Sequence, residues 1–129
     1  VTMACHFESV NEGALLVKPH SVTMTPTGRT ISLFYRHAGG RILALEQDAM
    51  ATEKDGILTL TLINRSFDHT KTFRLNASGE CIRATVYSAE DVVPNTSFTE
   101  SDLPLVNTDG SLEATLPAHS LALIQFMLN

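Results

Sequence analysis

The sequence predicts a mostly β protein, an antiparallel β-sandwich preceded by one or two short helices. Three observations point there. Leu58, Leu60 and Leu62 alternate with Thr59 and Thr61, a period of two that sends leucines to one face and threonines to the other. Asp-Gly pairs at 55–56 and 109–110 each sit beside such a run, the strongest short signal for a hairpin turn. Beyond Gly40, strand-like runs follow one another with turn residues between them and no helical pattern. The expected layout is a helical segment over 1–40 and a sandwich over 41–129, folded as one domain.

Taken in order, Val1 to about Leu16 reads as helix, because Phe7, Val10, Asn11 and Ala14 fall three and four residues apart on one face. Pro19 stops any helix before it, and Ser21–Met24 allows a short strand. A second helix is expected from Thr27, as its cap, to about His37, with Ile31, Phe34 and Tyr35 on one face and Gly39-Gly40 as the stop. Ile42 to about Thr52 reads as one long strand, which Asp55-Gly56 turns into Ile57–Asn64. Thr70–Leu75 follows with Phe73 and Leu75 inward, and Ser78-Gly79 marks a hairpin into Ile82–Ser88, where Ile82, Ala84 and Val86 share a side. Asp91 to Asn107, with Pro94 and Pro104, reads as a long irregular connection. Asp109-Gly110 leads into Leu112, Ala114 and Leu116 alternating with Glu113 and Thr115. Ser120–Leu128 is apolar on both faces, the pattern of a central strand covered on each side.

A chain of 129 residues is long enough to bury a real core. Its net charge of −5 argues against nucleic acid or an anionic membrane as partner. No apolar run is long enough to span a bilayer, and the start has no basic region followed by a long apolar one. The chain opens at Val1 inside a running pattern, which reads as a piece of something longer. A sandwich of this size needs no staple, so Cys5 and Cys81 are expected as free thiols in a reducing, cytoplasmic compartment.

Catalytic chemistry finds little support. Asn11-Glu12 has the form of a glycosidase acid/base pair, and Glu8 lies four residues before Glu12. Paired glycosidase carboxylates must flank a bond across a cleft, however, and two glutamates on one helix leave no opposite side for the sugar. His6, His20, His37, His69 and His119 form no ligand spacing with one another, and the adjacent pair Cys5-His6 would point apart on a helix. His119 reads as a turn residue before the last strand. No nucleophile elbow and no phosphate-binding glycine loop appears. The sequence therefore asks for no catalytic residue, metal or cofactor in this chain. Tyr35 and Tyr87 could stack on a sugar, but a chain without tryptophan is poor in the platforms that a carbohydrate-binding module uses. A stand-alone carbohydrate-binding or protein-interaction sandwich is the alternative function.

Several segments together resemble the C-terminal portion of α-L-arabinofuranosidases of glycoside hydrolase family 51. Ala4-Cys5-His6-Phe7-Glu8-Ser9-Val10-Asn11-Glu12-Gly13-Ala14 is similar to the last barrel helix of that family. Thr25-Pro26-Thr27 leading through Leu33-Phe34-Tyr35 to His37 resembles its Thr-Pro-Thr and the helix after it. Asp55-Gly56 with the strand ending Ile63-Asn64-Arg65, then Asn95-Thr96-Ser97-Phe98, then Leu116-Pro117-Ala118-His119-Ser120, continue the likeness in order. The resemblance implies a jelly-roll-type sandwich that packs beside a (β/α)8 barrel, in an enzyme that removes terminal α-L-arabinofuranosyl groups from arabinan or arabinoxylan with retention. Both catalytic glutamates of such a parent would lie upstream of Val1, and Glu12 falls on the helix motif. The missing barrel is then the expected partner. Phe7, Val10 and Ala14 would face it, and Leu58, Leu60 and Leu62 would fill the sandwich core. Left exposed, the apolar helix or an open sheet edge would recruit a second copy.

Overall fold

The computed structural model describes Val10 and residues 13–90 and 98–129. The described elements are β1 (Leu15–Lys18), β2 (Ser21–Met24), α1 (Pro26–Phe34) continued by a 3-10 turn (Tyr35–His37), β3 (Arg41–Leu45), β4 (Ala49–Lys54), β5 (Ile57–Asn64), β6 (Lys71–Leu75), β7 (Glu80–Ser88), β8 (Thr99–Asp102), β9 (Leu105–Thr108), β10 (Ser111–Leu116) and β11 (Ser120–Met127). The strands form a six-stranded antiparallel sheet in the order β3-β4-β5-β11-β7-β8, a three-stranded sheet β6-β10-β9, and the separate hairpin β1-β2.

The two larger sheets face each other across one core. Leu58, Leu62, Val86, Ala122, Ile124 and Phe126 from the six-stranded sheet meet Leu75, Ala114 and Leu116 from the three-stranded one. Leu60 is half-buried against the same cluster. On the outer face of the small sheet, Arg74 pairs with Glu113 and Thr72 with Thr115, which suits the polar half of an alternating strand. β11 is buried along both faces because the other side of the large sheet is also covered. There α1 lays Leu33 on Tyr87, Leu121 and Leu123. The same cover explains why Thr59 and Thr61, on the side of β5 away from the leucines, are also buried.

The turns follow their chemistry. Asp55-Gly56 joins β4 to β5 with φ of 53° and 76°, and Asp109-Gly110 joins β9 to β10 with 50° and 82°. Positive φ at both central residues matches the right-handed twist of the strands on either side.

Several expectations are corrected. Residues 1–9, 11 and 12 lie outside the described residues, so Phe7 does too. Where the expected first helix is described, it is not helical: Leu15 and Leu16 belong to β1, and Val10 makes an isolated parallel bridge to Leu15. The run Leu15-Leu16-Val17 alternates across a ribbon, which overrides the helical spacing upstream. The second helix is capped by Thr25, whose Oγ1 accepts from Gly28 N at 3.1 Å, with Pro26 in the first turn. Its buried side chains are Leu33 and His37, whereas Ile31 and Tyr35 are exposed. The run 42–52 is two strands, because Glu46-Gln47-Asp48 folds back in a tight turn with Glu46 N donating to Ala49 O at 2.8 Å. Ser78-Gly79 is no hairpin: β6 and β7 lie in different sheets, and the turn is a crossover between layers. Ile82 falls at a register shift between β7 and β11 and is exposed. The stretch read as an irregular connection contains β8 and β9.

Candidate docking surface

β1 and β2 stand apart from both larger sheets. Their register sets Leu15 opposite Met24 and Val17 opposite Val22. Alternation then puts all four on one face, with Leu16, Lys18, Ser21 and Thr23 on the other. Val17 and Val22 are 44% and 65% exposed. A two-stranded hairpin is marginal in water by itself, and exposed apolar side chains on one face call for something to lie against. Val10, beside the hairpin, is also half-exposed. Ala14 sits at the bend before β1, and its carbonyl accepts from Thr25 N at 2.9 Å. Of the three residues expected to face a barrel, Val10 and Ala14 thus lie at the base of this ribbon and not along a helix, and Phe7 lies outside the described residues.

Thr25 fixes the hairpin to α1. Its hydroxyl donates to the carbonyls of Gly13 and Ala14 while capping the helix. The helix comes so close that a Cβ on Gly28 would stand 2.2 Å from Ala14 O and 2.9 Å from Met24 Cγ. Gly28→Ala should therefore push hairpin and helix apart and cost about 1–3 kcal/mol. A thermal melt of the variant beside wild type checks this; an unchanged midpoint would mean that the two elements move apart freely.

A second apolar border runs along β3, an edge of the six-stranded sheet. Ile42, Leu43 and Leu45 are 59%, 45% and 69% exposed. A register shift between Ile42 and Ala44 breaks the regularity of this edge, the usual protection against unwanted strand pairing.

Asp48, Glu53, Asp68, Glu100 and Glu113 hold their carboxylates in structural contacts. Asp48 receives Lys71 Nζ at 2.6 Å on Oδ2 and faces Arg65 Nε at 2.9 Å on Oδ1, which clasps the β3–β4 turn to the start of β6. The hydrogen bond from Lys71, and then the two positive charges, hold its carboxyl below the usual range against the opposing effect of burial. Tyr87 is buried; its hydroxyl accepts from Arg83 at 2.8 Å and donates to Glu100 at 3.2 Å. Burial, with Glu100 adding to it and Arg83 opposing, raises its pKa. Glu113 pairs with Arg74 and Glu53 with Arg41. Among the described residues no two carboxylates oppose each other across these contacts, and no group of three or more His, Cys, Asp or Glu is placed to hold a metal.

Two buried polar residues had not been singled out for their contacts. Asn64, at the end of β5, donates its amide to the carbonyls of His69, Leu116 and Pro117 and accepts from Ser66 N. His37 places both ring nitrogens on threonine hydroxyls, Nδ1 on Thr52 and Nε2 on Thr61, each at 2.8 Å. Position alone could not reveal either, since every partner but Ser66 and His69 is far away in the chain.

No family model matches the sequence, and no curated protein matches it. Solved structures do. A family 51 arabinofuranosidase from Xanthomonas axonopodis pv. citri matches with a TM-score of 0.70 and 14% identity, over 91% of this chain and 29% of that one. AbfB, a family 51 α-L-arabinofuranosidase from Bifidobacterium longum, matches with 0.67 and 18% over 91% and 29%. The fold is that of part of a family 51 arabinofuranosidase. The chain spans about 29% of the length of those family 51 structures, and its likeness to them at such identity is one of fold. The catalytic domain of a family 30 xylanase C from Talaromyces cellulolyticus matches less closely, with a TM-score of 0.58 and 16% identity over 91% of this chain and 28% of that one.

Proposed function

We propose that this chain is the non-catalytic C-terminal β-sandwich domain of a retaining α-L-arabinofuranosidase, whose catalytic barrel releases terminal α-L-arabinofuranosyl groups from arabinan or arabinoxylan. The observation that carries the reading is the match of nearly the whole chain to under a third of each family 51 structure. The domain's work is then mechanical. The β1–β2 ribbon and α1 rest on the barrel, and the sandwich braces them from behind. The exposed thiol of Cys81 fits a reducing, cytoplasmic setting.

Hydrogen exchange separates this from other roles. In the 129-residue chain the amides of Leu15–Met24 should exchange well before those of β5 and β11, with only the local protection that their contacts with α1 give. Joined to a catalytic barrel they should slow by at least about a hundredfold, the protection that roughly 2.7 kcal/mol of local stability gives. Equal exchange in both settings would remove the docking role. Turnover of an aryl arabinofuranoside by the 129-residue chain, or heat released on adding arabino-oligosaccharides, would replace it with an enzyme or a sugar-binding module.

A further inference from the structure

The 3-10 turn that ends α1 is held down by one side chain. His37 is 6% exposed, and its ring spans from the turn to two neighbouring strands, Thr52 on β4 and Thr61 on β5. Phe34, one turn earlier on α1, lies against the ring with centroids 6.0 Å apart. We propose that His37 is an acid-sensitive latch, which fastens α1 to the six-stranded sheet while its ring is neutral and lets the segment 26–37 lift when the ring takes up a proton.

A neutral imidazole has one donor and one acceptor nitrogen, and each threonine hydroxyl can play the opposite part. A second ring proton changes this. Both nitrogens then donate, both hydroxyls must accept, and a full positive charge lies in the seam between helix and sheet. The groups facing the ring offer that charge no counterion. β4 presents Thr52 and, two residues on, Lys54, whose Nζ reaches Ala38 O at 3.4 Å and is itself positive. β5 presents Thr61 and Thr59, the latter accepting from Gln125 of β11. On the turn, the neighbours Tyr35 and Arg36 are exposed. Glu53 points to the opposite face of β4 and pairs with Arg41 at 3.6 Å. Among the described residues no carboxylate contacts the ring. Burial accordingly pushes the His37 pKa below its ordinary value of 6.5.

The sign follows from proton uptake. Below pH 6.5 a released ring binds a proton that the docked ring refuses, so the docked state loses stability as pH falls toward the docked pKa and keeps it above 6.5. Asp48 acts in a separate window: its contribution is complete above 3.8 and lost below it. The latch's window, from pH 6.5 down to about 5, therefore lies above that of Asp48. The docking reading of the hairpin is not needed for this.

The test is amide exchange in the 129-residue chain, corrected for intrinsic rates, with the His37 ring followed by NMR in the same samples. The amides of Thr30–His37 should open up to about tenfold more for each pH unit below 6.5, until the docked ring itself titrates. In His37→Gln, which offers a donor and an acceptor but no titrating proton, the same amides should show no such dependence. A ring that titrates normally near 6.5 in the folded protein would overturn the proposal without any variant. So would an acid dependence that persists unchanged in His37→Gln.

Discussion

Phe126→Ala should lower the unfolding free energy by about 3–5 kcal/mol, a large part of the 5–15 kcal/mol that a domain of this size possesses. Phe126 is 1% exposed and lies on β11 between Leu58 of β5 and Cys81 of β7, with its ring in the seam between the sheets. Truncation removes the transfer free energy of the ring and leaves a hole. The hole cannot collapse easily, because β11 is hydrogen-bonded on both sides. Met127, the next residue, is 44% exposed, and Met127→Ala should stay within about 0.5–1 kcal/mol. Urea denaturation of the two variants beside wild type makes the comparison. Equal losses would mean that the seam carries no more weight than the surface.

Asn64→Asp changes almost no volume and should still cost about 3–5 kcal/mol at neutral pH. The residue is 2% exposed, and three carbonyl oxygens surround its amide at 2.8–3.2 Å. A carboxylate there would face three acceptors with nothing to donate. Its folded pKa would rise, so part of the loss should return as the pH falls and the group becomes a neutral acid with one proton to share. Asn64→Ala should be nearly as harmful and independent of pH, since it leaves the same carbonyls bare. A pH series of melts on both variants checks the contrast; parallel curves for the two would mean that the Asn64 side chain is not the tie between the end of β5 and the 116–117 corner.

These two residues show what the sequence made legible. Phe126 stands in a run apolar on both faces, and such a run announces a buried central strand wherever it occurs. The Asp-Gly turns are equally local, because their backbone angles are set by the two residues themselves. Asn64 was legible only as part of a motif, since its carbonyl partners at 116 and 117 are over fifty residues away. His37 was likewise legible only as the end of a motif, because its partners Thr52 and Thr61 are distant in the chain. The misread elements have local causes. Leu15 and Leu16 continue a helical spacing, and only their pairing with β2 makes them strand. The run 42–52 lacks glycine and proline, so its turn is betrayed by three polar residues alone. Ile82 alternates correctly with Ala84 and Val86, but the register shift at Gln125 and Phe126 moves it out of the seam.

The position of β11 has a consequence for how the protein is made. β11 separates β5 from β7, yet the ribosome delivers it after both. Until residues 120–127 leave the exit tunnel, the nascent chain carries two strands that each lack the neighbour on one side, β5 beyond β4 and β7 beyond β8. Each can only wait, pair wrongly with the other, or be shielded by a chaperone. The domain must then close late and all at once, and a stop codon before residue 120 would spoil the whole sheet and not merely one strand of it.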